Sequence, residues 1–279
     1  VRRPGILVIS HGSRDQGWVR LVDEAVGAVA ESLSLQVADC GGKRESVPFQ
    51  QEPAYEGIPI VSAFLEIVEG RLIQDGVDRL EAEGVTEIYV LPLFVSSGST
   101  HVDDIAQGFG FPPAAAGREG ELGLFRVGPN VRIRFGTPID DDPVIAELLL
   151  ANIRELSAEP SQESLLLIAH GSKEAVFHGR WRQGLSLLAG RMRELGGFGG
   201  ADYAMLLPNQ AACKLRALQR KRPGHTFIVV PLFLSDGYFT RHVIPARLEG
   251  LHYRYNGQPM LPHAGILRWM KEQIGQYLK

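Results

Sequence analysis

Cysteine is nearly absent: the 279 residues hold two, Cys40 and Cys213. So few thiols exclude a disulfide scaffold, and reduced thiols in a cytoplasm are the plain reading. Long apolar runs are missing too. The start, "VRRPGILVISHGS", carries an apolar run of only about five residues, too short for a signal-peptide core or a membrane span. Excess charge of either sign is lacking, with a formal net charge of −3. Nothing therefore points to nucleic acid or an anionic membrane surface. What remains is an ordinary soluble composition, 44% apolar and 22% charged, in a chain long enough for two domains with real cores.

What the chain has is repetition. "VLPLFVSSGSTHVDDI" (Val90 to Ile105) returns 139 positions later as "VVPLFLSDGYFTRHVI" (Val229 to Ile244). "GILVISHGSRDQG" (Gly5 to Gly17) returns as "LLLIAHGSKEAVF" (Leu165 to Phe177). Each copy of the second motif is an apolar run ending in His-Gly-Ser and a basic residue. A buried parallel strand, a tight turn and a helix fit that pattern.

The same alternation continues. In the first half, "WVRLVDEAVGAVAESL" is a helix and "PIVSAFLEIV" a strand. "GRLIQDGVDRLEAEG" is a helix stopped at Gly84, "TEIYVLPLFV" and "VRIRFGTPI" are strands, and "PVIAELLLANIREL" closes as a helix with Pro143 near its start. In the second half, "RWRQGLSLLAGRMREL", "QAACKLRALQRK" and "GILRWMKEQIGQYL" are helices. "DYAMLLP", "HTFIVVPLFL" and "HYRYNGQPM" are strands. The expected fold class is α/β: two similar domains, each a small parallel sheet flanked by helices, related by internal duplication. The expected boundaries are 1–156 and 164–279, joined by a linker at Ser157 to Ser164. Two polar, Gly/Pro-punctuated segments, 40–57 and 108–123, lack long counterparts in the second half. Their length suggests functional lids or mobile loops.

Ligands of parallel α/β sheets bind at the carboxyl ends of the strands. His11 ends the first strand there, Glu66 the second, and the loop after the third carries His101. Two imidazoles and a carboxylate suit a divalent first-row metal, and open coordination positions would make such a site catalytic. His and Glu are also the usual proton acceptors. Plainer roles stand beside these: a strand-end His at a turn, Ser13 and Ser172 as helix caps, Glu66 as a helix N-terminal charge, and Gly98 and Gly237 supplying positive φ.

Taken together, "ISHGSRD", "SAFLEIVEG", "VLPLFVSSGSTHVDDI", "VRIRFGTPIDDDPVIAELLL", "LIAHGSK", "VVPLFLSDG" and "YNGQPMLPHAGILRWM" resemble the sirohydrochlorin chelatases of the CbiX/SirB type, in their long tandem form. The resemblance implies a lyase that inserts Co²⁺ or Fe²⁺ (Ni²⁺ is also conceivable) into sirohydrochlorin, in cobalamin or sirohaem biosynthesis, without nucleotide hydrolysis. A non-catalytic tetrapyrrole or metal-binding carrier on the same fold is the alternative. The tetrapyrrole would lie between the two domains of a plausible monomer, with no nucleic acid or membrane partner. His11, His101 and Glu66 would be catalytic and metal-binding. His170, His242 and His263 would be secondary metal candidates in a degenerate second repeat. Arg14, Lys173 and Arg241 would meet the substrate's carboxylates, and Ser13, Ser96, Ser97, Gly98 and Thr100 would line its site.

One departure stands out. The family's loop reads Gly-x-His, followed by Asp-Ile-Pro. Counted from Pro92, Thr100 takes the family's His position and His101 falls one residue late. Asp104-Ile105 keep register, and Ala106 replaces the Pro. Either the loop bulges to bring His101 into place, or the site has drifted.

Overall fold

The computed structural model describes residues 2–38 and 57–279; most of the 40–57 segment, including Cys40, lies outside the described residues. Two compact units emerge, each with its own parallel sheet.

The first unit begins with β1 (Pro4–Ser10), in which Ile6 to Ile9 are fully buried. Burial on both faces explains why the run is continuously apolar rather than alternating. Helix α1 (Gln16–Leu33) follows, capped by Asp15, whose carboxylate accepts from Gly17 N–H at 2.8 Å. Trp18, Val22, Ala25, Val26 and Val29 form its buried stripe. Then come β2 (Gln36–Val37), β3 (Pro59–Phe64), α2 (Ile73–Ala82), β4 (Glu87–Pro92), α3 (Thr100–Gly108) and β5 (Arg132–Phe135). Gly84, read from the sequence as the stop of this helix, follows α2 with φ +79°.

The sheet order is β2-β3-β1-β4-β5, parallel throughout, with Ile6 paired to both Ile60 and Tyr89. The chain leaves β1 toward β3 on one side and later returns to β4 on the other. The topological switch point, where a crevice opens beyond the strand ends, is therefore between β1 and β4.

The second unit contains α4 (Pro143–Asn152), β6 (Glu163–Gly171), α5 (Ala175–Gly196), β7 (Gly200–Leu207), α6 (Ala211–Lys221), β8 (Thr226–Pro231) and α7 (Ile244–Arg247). Helix α8 (Ala264–Leu278) begins in this unit. The sheet order is β7-β6-β8, with the switch point between β6 and β8.

Two expectations change, and the compact units add a division of their own beside the sequence repeats. "HYRYNGQPM" is not a strand: its backbone makes one isolated bridge, Arg254 to Ile228, and the alternation there reflects Tyr253 and Tyr255 packing on the core. The segment after β4, read as a loop, is helical from Thr100. Finally, the compact units do not follow the sequence repeats. The first comprises 1–94, 101–138 and 267–279, and the second 95–100 and 139–266. Helix α4, apolar on nearly every side, packs with α5. The end of α8 belongs with the first unit, where Tyr277 stacks on Tyr89 at 4.5 Å and Arg2 binds the Tyr277 carbonyl.

Among the described residues, no helix is long and apolar enough to cross a membrane.

Candidate metal site at the strand ends of the first repeat

His11 directly follows β1, and its backbone carbonyl accepts from Trp18 Nε1 at 2.7 Å. This bond ties the turn to the first helical turn of α1. The next residue has no freedom in size. A Cβ on Gly12 would lie 1.7 Å from the Glu66 carbonyl oxygen. Glycine is therefore required because the loop after β3 crosses the turn at backbone distance. That loop is fastened by Leu65 N–H to Ser10 O and Phe64 N–H to Arg71 O, both at 2.9 Å. Arg71 itself clamps Asp23 of α1 with both guanidinium nitrogens. Glu66 lies two residues beyond the end of β3, with a half-exposed side chain whose Oε1 is 3.7 Å from His11 Nδ1.

His101 is in the first turn of α3. No bulge delivers it; helix formation does. Its ring stands edge-on to that of His11, with centroids 4.6 Å apart and planes at 90°. Phe94 lies behind His11 at 6.0 Å. The His101 Nδ1 faces Asp104 Oδ2 at 3.9 Å, one helical turn on, and Asp104 is almost completely buried. Nδ1 of each imidazole is thus within 4 Å of a carboxylate, at 3.7 Å for His11 and 3.9 Å for His101, a charge beside the ring rather than a hydrogen bond. The two imidazoles flank the β1/β4 switch point.

The first repeat therefore brings His11, His101 and Glu66 together, but as an imidazole pair with an attendant carboxylate. Among the described residues, no group of three or more His, Cys, Asp or Glu side chains is arranged to hold a metal ion. Glu66 approaches the Nδ1 edge of His11.

The second repeat shows what the one-residue offset means. His170 ends β6 and meets the ring of Phe239 edge-on at 5.2 Å, as His11 meets His101. Phe239 lies eight positions after Pro231, whereas His101 lies nine after Pro92. A π-turn over Phe239–Val243 absorbs the difference: Ile244 N–H reaches back to the Phe239 carbonyl. Ile105 and Ile244 then return to equivalent, fully buried positions. The spatial counterpart of His101 is Phe239, not Thr240, so the edge-on pair here is His–Phe. π-turns of this kind are frequent at functional sites.

The remaining candidates sort by what already holds them. Ser13 Oγ accepts from Asp15 N–H at 3.0 Å and Ser172 Oγ from Glu174 N–H at 3.2 Å. Both stabilise turns; Asp15, not Ser13, is the helix cap. Ser97 donates to Asp140 through backbone and hydroxyl at 2.7 and 3.0 Å, and Ser96 Oγ accepts from Gly98 N–H. Burial pushes the Asp140 carboxyl upward despite these bonds. Gly98 and Gly237 do not have positive φ. Gly98 is required by space instead, since a Cβ would meet the Trp181 ring at 2.5 Å. These residues build the loop before His101 through bonds to one another and to Asp140.

Arg14 and Lys173 are exposed beside the two turns. Arg241 is bound to Asp236, and holds that carboxyl below its usual range. His242 is exposed near Tyr238. His263 accepts from Gly265 N–H at 2.9 Å, capping α8, and burial lowers its basicity. Its Nδ1 thereby serves as the helix cap.

The 108–123 segment is not a loose lid. Arg118 Nη1 bridges Asp103 and Asp104 at 2.7 and 2.8 Å, Ala114 N–H binds Asp103, and Phe125 packs on Phe109. Sequence reading missed Asp104 and Arg118. The acidic pair two and three positions after His101 was the available signal.

The fold is that of SirB from Bacillus subtilis with Fe³⁺, at 17% identity and TM-score 0.69 over 98% of this chain and 95% of that one. The SirB sirohydrochlorin chelatase of Bacillus subtilis subspecies spizizenii in complex with cobalt gives 16% and 0.60, covering 96% and 93%. CbiX, described as the terminal enzyme for biosynthesis of siroheme in denitrifying bacteria, gives 17% and 0.62, covering 99% and 100%. No curated protein sequence matches the chain. The CbiX family model matches twice, over residues 5–156 and 164–277, once per repeat. The chain thus belongs to the CbiX family, as a duplicated member whose imidazole pair sits in the first copy.

Proposed function

We propose that this protein inserts a divalent metal, Co²⁺ or Fe²⁺, into sirohydrochlorin, in cobalamin or sirohaem synthesis and without a nucleotide. The observation that carries the reading is the edge-on His11–His101 pair, 4.6 Å between centroids at the β1/β4 switch point. Metallation must bring M²⁺ to four ring nitrogens and remove two N–H protons. The metal is substrate, so it must be collected and released. Two neutral imidazoles bind a borderline cation well enough to collect it and leave coordination positions open for the incoming ring nitrogens. A closed cage of protein ligands would hold it too firmly. Glu66, half-exposed beside His11, is the acceptor for the departing protons. Exposed Arg14 offers charge to the substrate's carboxylates.

The test mixes protein, Co²⁺ or Fe²⁺ and sirohydrochlorin, and follows the absorbance change on metallation. Acceleration over the protein-free rate is expected. His11→Ala and His101→Ala should each remove most of it, on the order of a hundredfold or more. Tetrapyrrole binding without acceleration would make the chain a carrier instead. A rate equal to the uncatalysed one, with no binding, would end both readings.

A further inference from the structure

The 108–123 segment has no long counterpart in the second repeat, and neither the motifs nor the proposed chemistry uses it. Its principal polar anchor is Arg118. The guanidinium is mostly buried, and its Nη1 lies 2.7 Å from Asp103 Oδ2 and 2.8 Å from Asp104 Oδ1. Both carboxylates are almost fully buried in the first turns of α3. Two adjacent buried carboxylates repel one another and need a shared cation. Asp103 also accepts from Ala114 N–H and Gln107 Nε2, at 2.7 and 2.8 Å. Asp104 keeps its second oxygen, Oδ2, for His101.

We propose that Arg118 is a positioning residue for His101, acting through Asp104. The inserted segment thereby becomes the outer wall of the metal site. Arg118 holds Oδ1 of Asp104, which fixes the plane of the carboxylate and aims Oδ2 at His101 Nδ1. At 3.9 Å the carboxylate faces the ring edge as a charge rather than as a hydrogen-bond partner, and its field favours the tautomer with the proton on Nδ1, leaving Nε2 for the metal. In the second repeat no such segment is present, and the equivalent ring is Phe239, which needs no tautomer control.

This inference rests on the proposed role of His101 but is read separately from it. The experiment compares wild type, Arg118→Met and Arg118→Lys, with Arg126→Met as a control on an exposed arginine just beyond the segment. Folding is checked by circular dichroism. The His101 tautomer is read by ¹⁵N–¹H NMR, assigned through His101→Ala. Co²⁺ binding without tetrapyrrole is followed by the visible bands of the protein-bound metal.

Wild type and Arg126→Met should show the Nδ1–H tautomer. Arg118→Met should lose that preference and bind Co²⁺ on the order of tenfold more weakly, the usual effect of removing an outer partner of a metal-bound His. Arg118→Lys keeps the charge but not the planar fork, and should recover only part of both. An unchanged tautomer in folded Arg118→Met would overturn the inference. If Arg118→Met does not fold, a fully wild-type tautomer and Co²⁺ affinity in Arg118→Lys overturn it instead. If wild type and His101→Ala bind Co²⁺ equally, the metal role of His101 fails; the tautomer comparison still decides whether Arg118 orients the ring.

Discussion

Replacing Gly12 with alanine is the smallest change that reaches the whole candidate site. The added Cβ would lie 1.7 Å from the Glu66 carbonyl oxygen and 2.6 Å from its carbon. A carbon and an oxygen need roughly 3.3 Å, so one backbone must retreat by about 1.5 Å. The β1 side cannot yield easily, because Ile6 to Ile9 are fully buried and paired on both edges, and buried Ser10 is paired to Phe64. The Glu66 loop must move instead. Its bond from Leu65 N–H to Ser10 O would be lost at about 1 kcal/mol. Overpacking adds about 1–3 kcal/mol. The sum, about 2–4 kcal/mol, lowers the thermal midpoint of the affected unit by roughly 5–15 °C. Function suffers separately, since Glu66 would leave its place 3.7 Å from His11. A displacement of about 1 Å can cost on the order of a hundredfold in rate. Thermal unfolding and the metallation assay read the two effects. A Gly12→Ala protein with the wild-type midpoint and rate would refute the close approach on which the site's construction depends.

Further expectations concern pH and the second repeat. Glu163, nearly buried, accepts from Ser157 Oγ, Ala158 N–H and Arg254, and hydrogen bonding holds its carboxyl below the usual value despite burial. Its contribution to stability is therefore present above the unfolded carboxyl range and lost as pH falls through the lowered folded value; Glu163→Gln should flatten that acid limb in denaturant titrations at graded pH. Tyr277 is pushed up to about 12 by burial against Tyr89. Stability should fall as pH rises from the free phenol value near 10 toward 12, and Tyr277→Phe, which keeps the stack, should soften the loss in alkaline melts. Phe239→His should create a second edge-on His pair with His170, detectable as additional Co²⁺ binding by titration; no added binding would mean that the π-turn does not present residue 239 as α3 presents His101.

Much of this was legible in the chain. Continuous apolar runs such as "GILVIS" reveal strands buried on both faces, and the His-Gly-Ser echo reveals the duplication. His11, Glu66 and His101 could be assigned to one sheet edge because each follows a different strand. Local rules failed where contacts distant in sequence decide. The two glycines of the repeated His-Gly-Ser turns look identical, yet Gly12 is needed for the approach of Glu66 O, while Gly171 also takes φ +79°. Gly98 looks like a turn glycine and is one only because Trp181 occupies its Cβ position. Arg254, in a segment patterned like a strand, is held by one bridge and by Glu163.

The sequence by itself determined the class of fold, the two copies and the identity of the strand-end residues, because burial periodicity and motif order are local properties. The tertiary structure alone decided which residue faces His11. Counting from Pro92 places Thr100 opposite Phe239, a comparison that ignores how the following turn is wound. An α-turn in one copy and a π-turn in the other differ by one residue per turn, so the same count ends on different side chains. That difference in backbone winding places an imidazole beside His11 and a phenyl ring beside His170.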